Sequence, residues 1–277
     1  MRSLPPWLKK PIPKHRNISR IRELLGDDGV HTVCESAKCP NVGECFAKNT
    51  VTFMILGEIC TRRCAFCGVQ KGVPAPVDPD EPRKIGKALK KLGLNYVVVT
   101  SVTRDDLPDG GTEQFVEVIF NLRLNAAVPI EVLIPDNLDL DKLIEARPNV
   151  INHNLETVPR LYPKVRPQAD YARSLKVLRY IKDKNPSIYT KSGIMVGLGE
   201  SNSEVEQVLI DLKTVDCDIV TIGQYLRPAK QNLEVERFVD PEEFKAYERL
   251  GRKLGFLSVV SGPFVRSSYR AGENIPK

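Results

Sequence analysis

Two periods organise the hydrophobic positions of this chain. Short β-branched runs occur at VTFMIL (51–56), YVVVTS (96–101), IEVLI (130–134), VINHNL (150–155), KSGIMVG (191–197), DIVTIG (218–223) and FLSVVSG (256–262). They read as apolar on both faces, as strands buried in a parallel sheet are. Between them, apolar residues fall three and four apart, which predicts helices over 82–92, 112–124, 140–146, 171–182, 203–212 and 241–254. The punctuation agrees. Asp80 precedes the first helix and Gly93 ends it, Thr112 is placed to cap the second, Pro148 follows the third and Gly255 closes the last.

Strand then helix, repeated about six times, implies parallel strands joined by right-handed crossovers. The fold class expected is α/β, a partial (β/α)6-type TIM barrel over 51–262, in preference to a doubly wound sheet. Residues 1–50, rich in Pro, Lys and Arg, read as an irregular N-terminal extension, and 263–277 as a short C-terminal segment. Such folds bind ligands at the C-terminal strand ends, so polar residues there become candidates. These are Thr100 and Ser101, and Asn154 and Glu156; Lys191 opens the fifth run and could face a ligand carboxylate, and Gly193, Gly197 and Gly199 follow or end that strand. The glycine spacing is not G-x-G-x-x-G, which excludes a dinucleotide fingerprint. Arg104, Asp105 and Asp106 either order a loop over a substrate or form an ion-paired turn.

A chain of 277 residues buries enough surface to fold without disulfide or metal staples. Its seven cysteines therefore call for a chemical explanation. Six of them, Cys34, Cys39, Cys45, Cys60, Cys64 and Cys67, crowd into one stretch, and Cys217 stands alone as a small core hydrophobe. An odd count argues against a closed disulfide framework. The opening MRSLPPWLKKPIPKHRNISR lacks the apolar core of an export signal, and no apolar run approaches membrane-spanning length. The expectation is a soluble, cytoplasmic protein in a reducing compartment, its thiols used for metal. The net charge of +6, from 41 Lys+Arg against 35 Asp+Glu, is spread along the chain apart from a basic start. That speaks against a nucleic-acid stripe and leaves either a solvated basic surface or a docking face for an acidic partner.

Cys60, Cys64 and Cys67 form Cys-x3-Cys-x2-Cys in GEICTRRCAFCGV, directly after the first expected strand. Three thiolates at a strand end can hold one face of an iron-sulfur cluster and leave one iron open to a small molecule. The competing reading is a zinc knuckle completed elsewhere, although the spacing is not the paired Cys-x2-Cys of zinc sites. With Phe66 before the last cysteine, the segment resembles the motif of the radical S-adenosylmethionine enzymes. That resemblance implies an open iron that chelates the amino and carboxylate groups of S-adenosylmethionine, and electron transfer that releases a 5'-deoxyadenosyl radical.

A second triad, Cys34, Cys39 and Cys45, is spaced Cys-x4-Cys-x5-Cys in HTVCESAKCPNVGEC and resembles the auxiliary-cluster motif of the lipoyl synthases. The similarity continues through VVVTSVTRDDLPDGG, NHNLETVPRLYPKVRP, GIMVGLGE, GQYLRP and GPFVRSSYRAGE. It implies two 4Fe-4S clusters, with Ser268 of the RSSY motif as fourth ligand of the auxiliary one. It also implies that Phe66 and the backbone at Gly197 approach the cofactor, to which the positional candidates Thr100, Ser101, Asn154, Glu156 and Lys191 are added as further contacts. The implied reaction inserts sulfur from the auxiliary cluster at the sixth and eighth carbons of an octanoyl-lysine. The implied partners are octanoylated lipoyl domains of 2-oxoacid dehydrogenase complexes or the glycine cleavage carrier protein, a ferredoxin or flavodoxin-type donor, and an iron-sulfur carrier. A monomer is expected, with no membrane and no nucleic acid. A radical tRNA methylthiotransferase and a zinc-stabilised nucleic-acid-binding protein stand as alternatives. His15, His31 and His153 are given no ligand role. After GQYLRP the family usually has one or two histidines, where this chain has Gln231 and Asn232.

Overall fold

A computed structural model describes residues 4–11, 15–25 and 29–275. Seven strands lie parallel in one sheet: β1 (Thr52–Ile55), β2 (Val97–Ser101), β3 (Ile130–Leu133), β4 (Val150–Asn152), β5 (Tyr189–Val196), β6 (Ile219–Gln224) and β7 (Ser258–Gly262). Their spatial order is their sequence order. The crossovers are α1 (Glu81–Leu92), α2 (Thr112–Asn125), α3 (Leu140–Glu145), α4 (Tyr171–Lys184), α5 (Asn202–Thr214) and α6 (Pro241–Leu254). A short antiparallel strand, His31–Thr32, pairs with β1 at one edge, and β7 ends the other. The sheet therefore stays open, a partial barrel. Among the described residues no helix is long and apolar enough to cross a membrane.

The sequence signals act locally as their chemistry requires. Gly93 and Gly255 end α1 and α6 at φ of 62° and 88°, a left-handed conformation costly for any residue with a Cβ. Ser201 with Glu204 and Asp240 with Glu243 close capping boxes on α5 and α6. Thr112 differs from expectation. Gly111 is the cap residue of α2, Thr112 begins the helix, and the Asp109 carboxylate accepts the Gly111 and Glu113 N–H groups.

The N-terminal extension is more regular than its composition suggested. It holds a helix, His15–Leu25, that buries Ile21 and Leu25, and two short helices, Val33–Ser36 and Val42–Ala47. Ile18, Ile21 and Leu25 already stood three and four apart beneath the Pro/Lys/Arg composition. Tertiary contact then orders the piece, since the first helix packs on both Val42–Ala47 and α1.

Lys191 also needs correcting. Lys191 lies near the start of the fifth strand, as its place in the apolar run implies, but is taken up there by a carboxylate rather than left free for a cofactor. It is 1% exposed, and its ammonium is 2.8 Å from a Glu131 carboxylate oxygen. The Asn152 amide and the Tyr96 hydroxyl donate to the same carboxylate at 3.1 and 2.7 Å. This buried pair fills the floor of the barrel, and its cation is already committed.

The chain ends meet through Glu44. Its carboxylate accepts from Lys10 at 3.2 Å, Tyr269 at 2.8 Å and Arg270 at 3.3 Å, while the Asn41 amide donates to the Phe264 carbonyl at 2.7 Å. Partial burial opposes ionisation of Glu44, but the hydrogen bonds from Tyr269 and Lys10 outweigh it and hold the carboxyl at about 2.

Two outcomes follow. Lys191→Met leaves Glu131 charged and unpaired in the core, and urea unfolding should show a loss of about 3–5 kcal/mol; adding Glu131→Gln should recover much of it. Glu44→Ala should free the C-terminal segment while the sheet stays intact, seen as faster proteolysis and hydrogen exchange at 264–270 with unchanged protection in β5 and β6.

Candidate active site

A cavity of about 520 Å³ opens at the C-terminal ends of the strands. Five of the six clustered cysteines line it, Cys34, Cys39, Cys60, Cys64 and Cys67, together with Ser267 and Ser268. Cys45 is not on the lining but lies close enough to Cys34 and Cys39 to interact with both. Cys60, Cys64 and Cys67, Cys34 and Cys39, and Arg266, Ser267 and Ser268 of the RSSY motif thus face one space. All seven cysteines are free, with Cys217 buried apart from the rest.

The loop bearing Cys60, Cys64 and Cys67 is tied down on several sides. Ile59–Cys60 pairs in parallel with Gln70–Lys71, which draws the two ends of the loop together. The Thr103 N–H points at the Cys60 sulfur, 3.3 Å away, and the Ala65 N–H donates to the Val165 carbonyl at 2.9 Å. Arg62, within the loop, pairs with Asp105 at 2.8 Å and with Asp136, while Arg104 pairs with Asp106 at 2.8 Å. The ion pairs expected of the Arg104–Asp106 turn are present, and that of Asp105 runs to Arg62. It braces the cysteine loop.

Burial, and then the proximity of Cys39, pushes the Cys34 thiol up to about 12. The same causes push Cys45 up to about 11, and burial pushes Cys67 up to about 12. Thiols that raise one another in this way are close enough to act as sets. Among the described residues no three His, Cys, Asp or Glu side chains converge on a point that holds a single metal ion. Two sets of three half-buried thiols suit iron-sulfur clusters, whose ligands are thiolates.

The remaining lining suits a polar organic cofactor. Buried there without hydrogen-bond partners are Ser101 Oγ, His153 Nε2, Asn154 Oδ1 and Arg166 Nε. Atoms of this kind are costly unless a ligand completes them. Thr100 lines the cavity too, but its hydroxyl already donates to the Leu133 carbonyl at 3.0 Å. Glu156 sits at φ 65° and accepts from the Asn154 amide at 3.0 Å; burial raises its carboxyl above the ordinary range. Phe66 lines the same wall. Gly193 is the glycine of close approach, since a Cβ there would meet Thr221 Oγ1 at 2.7 Å and Asn154 Oδ1 at 2.9 Å. Gly197, at φ 96°, faces Gln224 and Arg237 instead and does not line the cavity. Lys191 does not line it either.

Sequence reasoning passed over three contributors. His153 is buried, its Nδ1 bonded to the Ile134 carbonyl at 2.9 Å; burial, and then the nearby Arg166, pushes it down to about 4, so it is neutral. Arg166 donates to the Asn154 and Leu155 carbonyls at 2.7 and 3.1 Å. Arg266 has no acidic partner among the described residues and donates to the Val265 carbonyl at 2.6 Å, close to both Cys39 and Glu156. The usable signal was position, because His153 directly follows β4.

A profile for the radical SAM superfamily matches residues 54–212, and one for the N-terminal domain of lipoyl synthase of that family matches residues 1–39. Lipoyl synthase of Caldanaerobacter subterraneus subsp. tengcongensis is 55% identical over 271 residues, 96% of this chain and 95% of that protein. Lipoyl synthase of Caldicellulosiruptor saccharolyticus is 53% identical over 274 residues, 97% and 96% of the two chains. Among solved structures, methylornithine synthase superposes with a TM-score of 0.58 at 20% identity over 72% of this chain and 61% of that one. Streptococcus suis SuiB bound to S-adenosylmethionine superposes with a TM-score of 0.56 at 12% identity over 77% and 50%. These two likenesses speak for the fold; the family rests on the near full-length identities. The chain belongs to the lipoyl synthase family of radical S-adenosylmethionine enzymes.

Proposed function

We propose that this chain inserts two sulfur atoms at the sixth and eighth carbons of a protein-bound octanoyl-lysine. The supporting observation is that Cys60, Cys64 and Cys67, two members of the other triad, Cys34 and Cys39, and Ser268 line one cavity, with Cys45 close to Cys34 and Cys39. Cys60, Cys64 and Cys67 would hold the cluster that works with S-adenosylmethionine. Cys34, Cys39 and Cys45, with Ser268, would hold the auxiliary cluster, the sulfur substrate. When bound, the first cluster and S-adenosylmethionine supply the one-electron chemistry that takes hydrogen from an unactivated carbon.

The chain's own residues bind and orient. Ser101 Oγ, Asn154 Oδ1 and neutral His153 Nε2 offer unpaired polar atoms to the hydroxyl and amino groups of the cofactor. Arg166 and Arg266 supply positive charge beside the thiolates. The apolar lining of the same cavity, including Met54, Ile194 and Leu226, suits an eight-carbon acyl chain. The partners we assign are an octanoylated lipoyl domain of a 2-oxoacid dehydrogenase complex or the glycine cleavage carrier, a ferredoxin or flavodoxin-type donor and an iron-sulfur carrier. The chain acts as a monomer in the cytoplasm.

Incubating the reconstituted chain with S-adenosylmethionine, reductant and an octanoyl-lysine peptide should yield a product two sulfur atoms heavier by mass spectrometry; a product with none refutes the reading. Cys64→Ala should lose about half of the bound iron and all cofactor cleavage. Ser268→Ala should still cleave S-adenosylmethionine but give at least tenfold less doubly sulfurated product, with iron lost from the auxiliary cluster. Full retention of both clusters and of turnover in that variant removes Ser268 from the ligand set.

A further inference from the structure

Gln231 and Asn232, which stand where the family usually has histidine, are separated by the structure. Gln231 is exposed on the rim of a groove shared with Lys38, Cys67 and Lys71. Asn232 is 4% exposed, and its amide nitrogen donates to the Ala65 carbonyl at 3.0 Å and the Cys67 carbonyl at 2.9 Å. The Leu233 N–H donates to the same Ala65 carbonyl at 3.2 Å, and the Tyr225 hydroxyl holds the Leu233 carbonyl at 2.8 Å. Both N–H groups of one amide nitrogen are thus spent on the carbonyls that flank Phe66.

Gly68, next in the chain, is pressed from two sides. A Cβ there would lie 3.0 Å from Pro228 Cβ and 3.1 Å from the Ala37 carbonyl oxygen. Ala37 stands between Cys34 and Cys39 of the other triad, so the 226–233 segment, the radical-cluster loop and the auxiliary loop form one stack. Asn232 Oδ1 is buried with no donor. The position tolerates that unmade bond while its nitrogen makes two.

We propose that Asn232 is a positioning residue for the radical cluster. Its amide nitrogen fixes Ala65–Cys67 against the 225–233 segment, and so sets where the Cys67 sulfur meets the cluster and how near that loop stands to Ala37. This rests on the reading of Cys60, Cys64 and Cys67 as the open-iron triad. A neutral histidine in place of Asn232 carries one N–H rather than two on a single nitrogen, so it supplies half of the tie. An aspartate supplies none and sets negative charge against two carbonyl oxygens.

The test uses the reconstituted full-length chain and Asn232→His, Asn232→Ala and Asn232→Asp. The readouts are iron release to a chelator, the electron paramagnetic resonance spectrum of the reduced protein with and without S-adenosylmethionine, and the melting temperature. Asn232→Ala should release iron from the cofactor-responsive cluster about tenfold faster and shift its g-values, while the auxiliary iron is retained. Asn232→Asp should be worse, and Asn232→His intermediate. Wild-type release and g-values in Asn232→Ala and Asn232→His overturn the proposal. So does parallel loss of both clusters with a lowered melting temperature, which marks a merely structural residue. Cys67→Ala separates the two claims: a cofactor-responsive spectrum that survives in it overturns the triad reading itself.

Discussion

Burial of thiols is the constraint around which the molecule is arranged. A thiol binds iron as the thiolate, yet in this cavity burial favours the neutral form and pushes Cys34 and Cys67 up to about 12. Iron must therefore displace protons, so its hold depends on ligand geometry and on nearby cations. Burial raises Cys64 as well, Arg166 nearby opposes that rise, and Arg266 lies near Cys39. Arg62, by contrast, is consumed by Asp105 and Asp136 and stiffens the loop. Arg62 still lowers Cys64 from that paired position, as Lys10 does Cys45 while bound to Glu44.

An open sheet makes room for such a cavity. A closed eight-stranded barrel fills its interior with side chains. Here seven parallel strands stop short of closure, and the floor is sealed by Lys191 and Glu131. The mouth is finished by segments from both chain ends, which Glu44 joins across 225 residues to Tyr269. That clasp sits beside Cys45 and one residue from Ser268. The contacts that complete the cavity thus also bring the segment of Cys45 to that of Ser268.

The seven strands and six crossover helices were legible because each carries a short-range period and a local stop, such as Gly93 or Gly255. The triads were legible because their spacing is short in sequence. Lys191 was rightly read as opening a strand, but nothing local in the sequence reports that Glu131, 60 residues away, takes up its ammonium. His153 was passed over since a histidine in sequence carries no sign of which ring nitrogen is paired; only the Ile134 carbonyl decides that. Asn232 showed as a departure, but its partners are 165 and 167 residues away. No local pattern reports such a contact.

The adjacent serines of the RSSY motif illustrate what geometry adds to a motif. Both line the cavity, but the Asn154 amide donates to Ser267 Oγ at 2.6 Å. Ser267 is thereby tied to the end of β4, on the side where Glu156 and His153 stand. Among the described residues Ser268 makes no side-chain hydrogen bond; its carbonyl alone is engaged, by the Ala271 N–H at 3.3 Å. The Asn154 amide nitrogen thus spans Glu156 and Ser267 and ties the segment after β4 to the C-terminal segment, while the Ser268 hydroxyl, next in the chain, stays unpartnered among the described residues.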